Sequence, residues 1–170
     1  GEWLLTYESI KSYVNILKYY QGKNGLIGPE GGVNEGVFGP AYITSSNMFI
    51  YGGLQAAIKI ASLHGDEDSK REWTKLAKGI KSGIETTWIE EQGRYGYGYM
   101  DYCDEVVQKY DTPQYFGPLY GYPIDERFKK NNSFLLQYAT FFDNGIGYTE
   151  QEYHHGPWLF NTGACAQVQA

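Results

Sequence analysis

The sequence predicts an all-α fold of helical hairpins, and three observations predict it. Apolar residues recur at helical spacing in several separate segments, Gly- and Pro-containing stretches punctuate them, and no apolar/polar alternation persists long enough to build a sheet. Long Gly- and Tyr-rich connections alternate with a short turn, which puts the long loops on one face and marks that face as functional. With 170 residues the chain is expected to form a single domain, residues 1–170, large enough to bury a core without disulfide or metal staples.

Residues 6–20 form the first helix, with Tyr7, Ile10, Val14 and Leu17 on one face and Gly22 and Asn24-Gly25 ending it. The second runs over 44–64. Its Tyr51, Leu54, Ile58 and Ala61 share one face, Gln55, Lys59 and Ser62 another, and Gly65 stops it. Ser69-Lys70-Arg71-Glu72 reads as a capping box opening a third helix, along which Trp73, Leu76, Ile80, Ile84 and Trp88 follow at helical spacing. The brief turn at 65–68 makes helices two and three antiparallel neighbours. After Glu90 to Gly93, the Gly/Tyr alternation of RYGYGYMDY (94–102) predicts a short strand or an extended loop. Asp111-Thr112-Pro113 starts another helical turn that Gly121 and Pro123 cut short. A further helix fits 125–142, with Phe128, Leu135, Tyr138 and Phe142 inward and Asn144-Gly145 as terminator, and 157–170 reads as helical from Pro157. A tetratricopeptide-like solenoid would need a fixed repeat with short linkers, which this chain lacks.

Composition narrows the function classes. The net charge of −6 and the absence of a basic run argue against a nucleic-acid partner, whose phosphates demand clustered Lys and Arg. Apolar runs fall short of the ~20 residues a membrane span needs, so a soluble chain is expected, with its compartment left open. Cys103 and Cys165, too few and too far apart for a metal cluster, read as packing residues. Asn131-Asn132-Ser133 matches an N-glycosylation acceptor for a secreted eukaryotic protein. Seventeen tyrosines, many on Gly-rich segments, suit sugar faces or an interface as well as they suit a helical core.

Among reactive groups, Tyr153-His154-His155 lacks the helical spacing that converges two imidazoles on zinc, and no metal is expected. Neither a nucleophile elbow nor a phosphate-cradling Gly-rich loop is present, and no cofactor is called for. Carboxylates beside aromatics are what is left. That is the equipment of glycoside hydrolysis, in which one carboxyl protonates the glycosidic oxygen while a second activates water or attacks the sugar. The Gly-rich segment 24–42 holds two candidates, Glu30 and Glu35. Pro29-Glu30-Gly31 reads as a turn, and Glu35 lies nearer the following helix.

The order of segments resembles a known family. A helix, a Gly-rich loop with a glutamate, YITSSNMFIYGGLQAAIKIASLHGDED (42–68), WIEEQGRYGYGY (88–99), DTPQYFGPLYGYP (111–123) and GIGYTEQEYHHGPWLFNTGACAQ (145–167) together resemble the middle of a glucoamylase-type, family 15 catalytic domain, one of the six-hairpin glycosidases. The resemblance implies part of an (α/α)6 toroid and inverting hydrolysis of α-glycosidic bonds in oligo- or polysaccharides. It implies Glu35 as general acid and sugar contacts from Tyr42, Asn47, Asp111, Glu150 and Trp158. Asn34-Glu35-Gly36 departs from the family's usual Trp-Glu-Glu at this place. Glu150-Gln151 resembles the family's general base, but its flanks resemble the loop between the ninth and tenth helices, which implies a base beyond Ala170. If Glu150 were the base, its carboxyl would lie about 6.5 to 9.5 Å from that of Glu35. Rival readings are another six-hairpin enzyme of trehalase, phosphorylase or rhamnosidase type, and a non-catalytic carbohydrate-binding helical module.

Overall fold

A computed structural model describes residues 6–30, 40–109, 111–139 and Gln167. Helix α1 spans Tyr7–Tyr19 and begins where Thr6 accepts the backbone N–H of Ser9. Strand β1, Tyr42–Ile43, leads directly into α2, Thr44–Leu63. A tight turn with Gly65 at φ +70° reverses the chain into α3, Glu67–Thr86. Strands β2 (Trp88–Ile89), β3 (Arg94–Tyr95), β4 (Gly98–Met100) and β5 (Glu105–Val107) follow, with a 3-10 turn at Glu90–Gln92 between the first two. A 3-10 segment at Thr112–Tyr120 and helix α4, Glu126–Ala139, complete the described chain.

These residues are mostly helical, in keeping with the predicted class, and α2 and α3 form the expected hairpin. Its seam is built as the periodicity predicts. Trp73, Ile80 and Ile84 on α3 are fully buried against Leu54, Ala57 and Ala61 of α2. Each large side chain removed from water contributes on the order of 1.5–3 kcal/mol. Val14 of α1 joins the same core, with Tyr7, Ile10 and Leu17 packed at its edge.

Four expectations are corrected. The third helix starts a turn earlier than the capping box suggests, because Asp66 is the cap: its Oδ1 accepts the Ser69 backbone N–H at 3.0 Å and its Oδ2 the Ser69 hydroxyl at 2.9 Å. Trp88 leaves that helix for β2, where it pairs with Tyr95. Sheets do form, although among the described residues no strand exceeds three residues: β1, β4 and β5 pair antiparallel, with Tyr42 opposite Tyr99 and Tyr99 opposite Val106. Strands this short carry no readable alternation, and Gly98 is needed in the middle one because a Cβ there would lie 2.7 Å from the Tyr42 carbonyl oxygen. Finally, Asn131 cannot serve as a glycan acceptor in the folded chain. It is fully buried, its Oδ1 accepting the Tyr95 N–H and its Nδ2 donating to Gln114 Oε1.

The 111–123 stretch becomes a nine-residue 3-10 segment because Pro113 and Pro118 deny the N–H groups an α-helix would use, and Gly121 at φ +95° ends it. Asp125 then caps α4 by accepting the Phe128 N–H at 2.8 Å. Phe128 and Leu135 point inward as predicted. Residues 140–166 and 168–170, with Phe142, Cys165 and the expected 157–170 helix, lie outside the described residues apart from Gln167.

Candidate functional site

Both long connections converge on the N-terminal end of α2, while the short turn at Gly65 lies at the opposite end of the hairpin. The exit of α1 is folded back on itself by Gly22 N–H to Leu26 O and Gly28 N–H to Tyr20 O. It is then tied to α2 through Asn47, whose Oδ1 accepts the Ile27 N–H at 2.8 Å and whose Nδ2 donates to Ile27 O at 3.0 Å and Ile43 O at 2.8 Å. Glu30 and Ala41 exchange backbone hydrogen bonds of 2.9 and 3.0 Å, so both ends of the segment that holds Glu35 are fixed beside β1.

The second connection is anchored just as closely. Thr44 donates its N–H to Tyr97 O and its hydroxyl to Gly96 O, both at 2.9 Å. Arg94, nearly buried, donates from Nη2 to Gln108 O at 2.6 Å and from Nη1 to Lys109 O at 3.2 Å, fastening the run that leads to Asp111. Gln114 Nε2 donates to Gly96 O at 3.0 Å while its Oε1 accepts from Asn131, so a buried amide chain joins β3, the 3-10 segment and α4.

Asp111 and Glu30 bring carboxylates to this end. Asp111 is 1% exposed, and Glu30 is half-buried with Oε1 shut from solvent and lacking a hydrogen-bond partner. Both act on the Tyr97 phenol, which burial pushes well above the usual tyrosine range and which the charges of Asp111 and Glu30 raise further. Tyr97 therefore stays protonated. The N-cap residue of α2 is Ile43, which has no side-chain oxygen to cap the first turn, and Ser45 behind it is 1% exposed with its Oγ unpartnered.

Tyr42 and Asp111 thus lie at the same end of α2 but face different surroundings. Tyr42 lines a cleft of about 690 Å³ with Gln21, Lys23, Asn24, Tyr99 and Asp101. Burial raises its phenol pKa, and the neighbouring Asp101 adds to the shift. Asn47 corrects an expectation: its side chain is fully buried, and both amide protons and its oxygen are committed to backbone, leaving no surface for a sugar. It positions the loop instead. Glu35, Glu150 and Trp158, and with them the Glu35–Glu150 separation, lie outside the described residues, as does Tyr153-His154-His155.

Sequence reasoning set Glu30 aside as a turn residue and did not single out Tyr97, Asp101 or Ser45. Glu30 is not a turn residue but half of a β-bridge, and the available signal was its place at the foot of the loop opposite Ala41. For Tyr97 the signal was the Tyr-Gly-Tyr-Gly-Tyr run itself, whose tyrosines divide between the core and the cleft. Among the described residues no group of three or more His, Cys, Asp or Glu side chains is placed to hold a metal, and no helix is long and apolar enough to cross a membrane. No protein-family model matches the chain, and no curated protein sequence is significantly similar to it.

Proposed function

We propose that the chain is part of an inverting α-glycoside hydrolase acting on oligo- or polysaccharides, built on an (α/α)6 toroid of which α2 and α3 form one hairpin. Glu35 is the general acid that protonates the glycosidic oxygen, and a second carboxylate, Glu150 or one beyond Ala170, activates water on the opposite face of the sugar. Tyr42, Glu150 and Trp158 contact the sugar, and Asp111, 1% exposed, acts on the Tyr97 phenol rather than on the sugar directly. The observation that carries this reading is the Glu30–Ala41 bridge: it fixes both ends of the Glu35 segment at the end of α2 where Tyr42, Tyr97 and Asp111 also gather. Anchored ends favour a catalytic group over a merely solvated one, since catalysis needs a carboxyl held within hydrogen-bond reach of the leaving oxygen.

A non-catalytic carbohydrate-binding module is the second reading, favoured by Asn34 where the resembled family places tryptophan. The two separate on Glu35→Gln. The hydrolase reading expects wild-type turnover of α-linked oligosaccharides, a loss of at least about a hundredfold in the variant, and retained saccharide binding. Undiminished turnover in Glu35→Gln removes Glu35 from the mechanism, and saccharide binding with no hydrolysis by the wild type favours the module.

A further inference from the structure

We propose that the outward face of α1 is the interface of a homodimer, in which two copies of this helix lie antiparallel across a two-fold axis. α1 turns Tyr7, Ile10, Val14 and Leu17 to the core. On its other side Tyr13, Ile16 and Tyr20 follow one another three and four residues apart, 65%, 50% and 58% exposed, with Tyr19 beside them at 88%. None of the four belongs to the hydrophobic core. Large aromatic and aliphatic side chains gathered on one side of a short helix mark a contact surface, where tyrosine is enriched.

Charge decides the occupant. The two lysines within α1 turn back to the hairpin, Lys11 to Asp66 at 3.0 Å and Lys18 to Glu72. Between the tyrosines, Ser12 and Asn15 add only uncharged polar groups to the exposed side. Two exposed charges bracket it, Glu8 in the first turn and Lys23 just past the helix end, and neither forms an ion pair among the described residues. Glu8 and Lys23, like Tyr13 and Tyr20, lie almost equally far to either side of Ile16 in sequence. An antiparallel second copy therefore sets each Glu8 against a Lys23 and each Tyr13 against a Tyr20, with Ile16 near the axis. The opposed helix dipoles favour the same arrangement. A parallel pairing would put Glu8 on Glu8 and Lys23 on Lys23, in a chain whose net charge is already −6. Lys23 also lines the Tyr42 cleft, so the seam runs up to the rim of that cleft. Nothing in this pairing depends on glycosidase activity.

Sedimentation equilibrium over about 1–100 μM, the span of weak to moderate affinities, tests the interface. The wild type is expected to dimerise in that range. Glu8→Lys and Lys23→Glu each turn both end contacts into like-charge pairs, and each is expected to raise the dissociation constant by at least about tenfold. Both residues are exposed, so the variants should fold, as circular dichroism would verify. The double variant Glu8→Lys with Lys23→Glu restores opposite charges across the seam and is expected to dimerise as the wild type does, which a purely structural role for either residue would not produce. Ile16→Glu places two carboxylates at the axis and is expected to be monomeric. A wild type that stays monomeric throughout overturns the proposal and leaves the face to a partner of another kind. A dimer that neither single reversal weakens, or that the double reversal fails to restore, overturns it as well.

Discussion

Asn47 and Ile27 exchange two hydrogen bonds across twenty residues of chain, Ile27 N–H to Asn47 Oδ1 at 2.8 Å and Asn47 Nδ2 to Ile27 O at 3.0 Å. Ile27 is 6% exposed, so neither of its backbone groups has water to fall back on. The side chain thus replaces a strand partner for the loop that leads to Glu30.

Replacing Asn47 with Ala is expected to destabilise the fold by at least about 2 kcal/mol, since it strands a buried donor and a buried acceptor together. Urea unfolding monitored by tryptophan fluorescence measures it. A change below about 0.5 kcal/mol would mean that the loop finds other partners.

Asp66 makes stability depend on pH. The Ser69 backbone N–H, then Lys11 and Tyr7, hold its carboxyl far below the usual carboxylate range. With the folded pKa below an unfolded value near about 4, the contribution is fully present above that value and is lost as pH falls through the folded pKa. Asp66→Asn is therefore expected to lower the thermal midpoint at pH 7, and its gap to the wild type should narrow steadily below about pH 4. A gap that stays constant down to pH 2 contradicts this.

At Gly52, an added Cβ would lie 1.8 Å from the carbonyl oxygen of Tyr120, backbone against backbone. Gly52→Ala is expected to force α2 and the 3-10 segment apart at a cost of about 1–3 kcal/mol or more. Thermal unfolding checks it. Gly53→Ala is the control, because a Cβ there meets nothing within 4 Å, and should be neutral or slightly stabilising in mid-helix.

Asn131→Ala should likewise cost about 1–3 kcal/mol, by leaving the Tyr95 N–H and Gln114 Oε1 without their shared partner. Denaturant unfolding would show it, and a variant as stable as the wild type would show that the amide chain carries no weight.

Helix periodicity made the hairpin legible: Leu54, Trp73, Ile80 and Ile84 are buried where a 3.6-residue period puts them. Caps and short strands were harder to read. Asp66 and Ser69 are both good cap residues three positions apart, and which one caps depends on the tight turn at Gly65, a matter of local geometry that composition does not reveal. Tyr42 and Tyr99 pair through backbone across fifty-odd residues, a non-local relation invisible to any window. At the candidate site, Tyr42 and Asp111 were legible as polar or aromatic residues on long loops. Asn47 and Asn131 misled because an amide that satisfies buried backbone looks, in sequence, like an amide that greets a ligand or carries a glycan.

The central claim is that the chain's enzyme cleaves α-glycosidic bonds with inversion. Proton NMR of the anomeric signals during the first minutes of maltoheptaose hydrolysis tests it most directly: the account predicts that the β-anomer of the product appears first and that mutarotation follows, whereas initial release of the α-anomer, or no new reducing end at all, would contradict it.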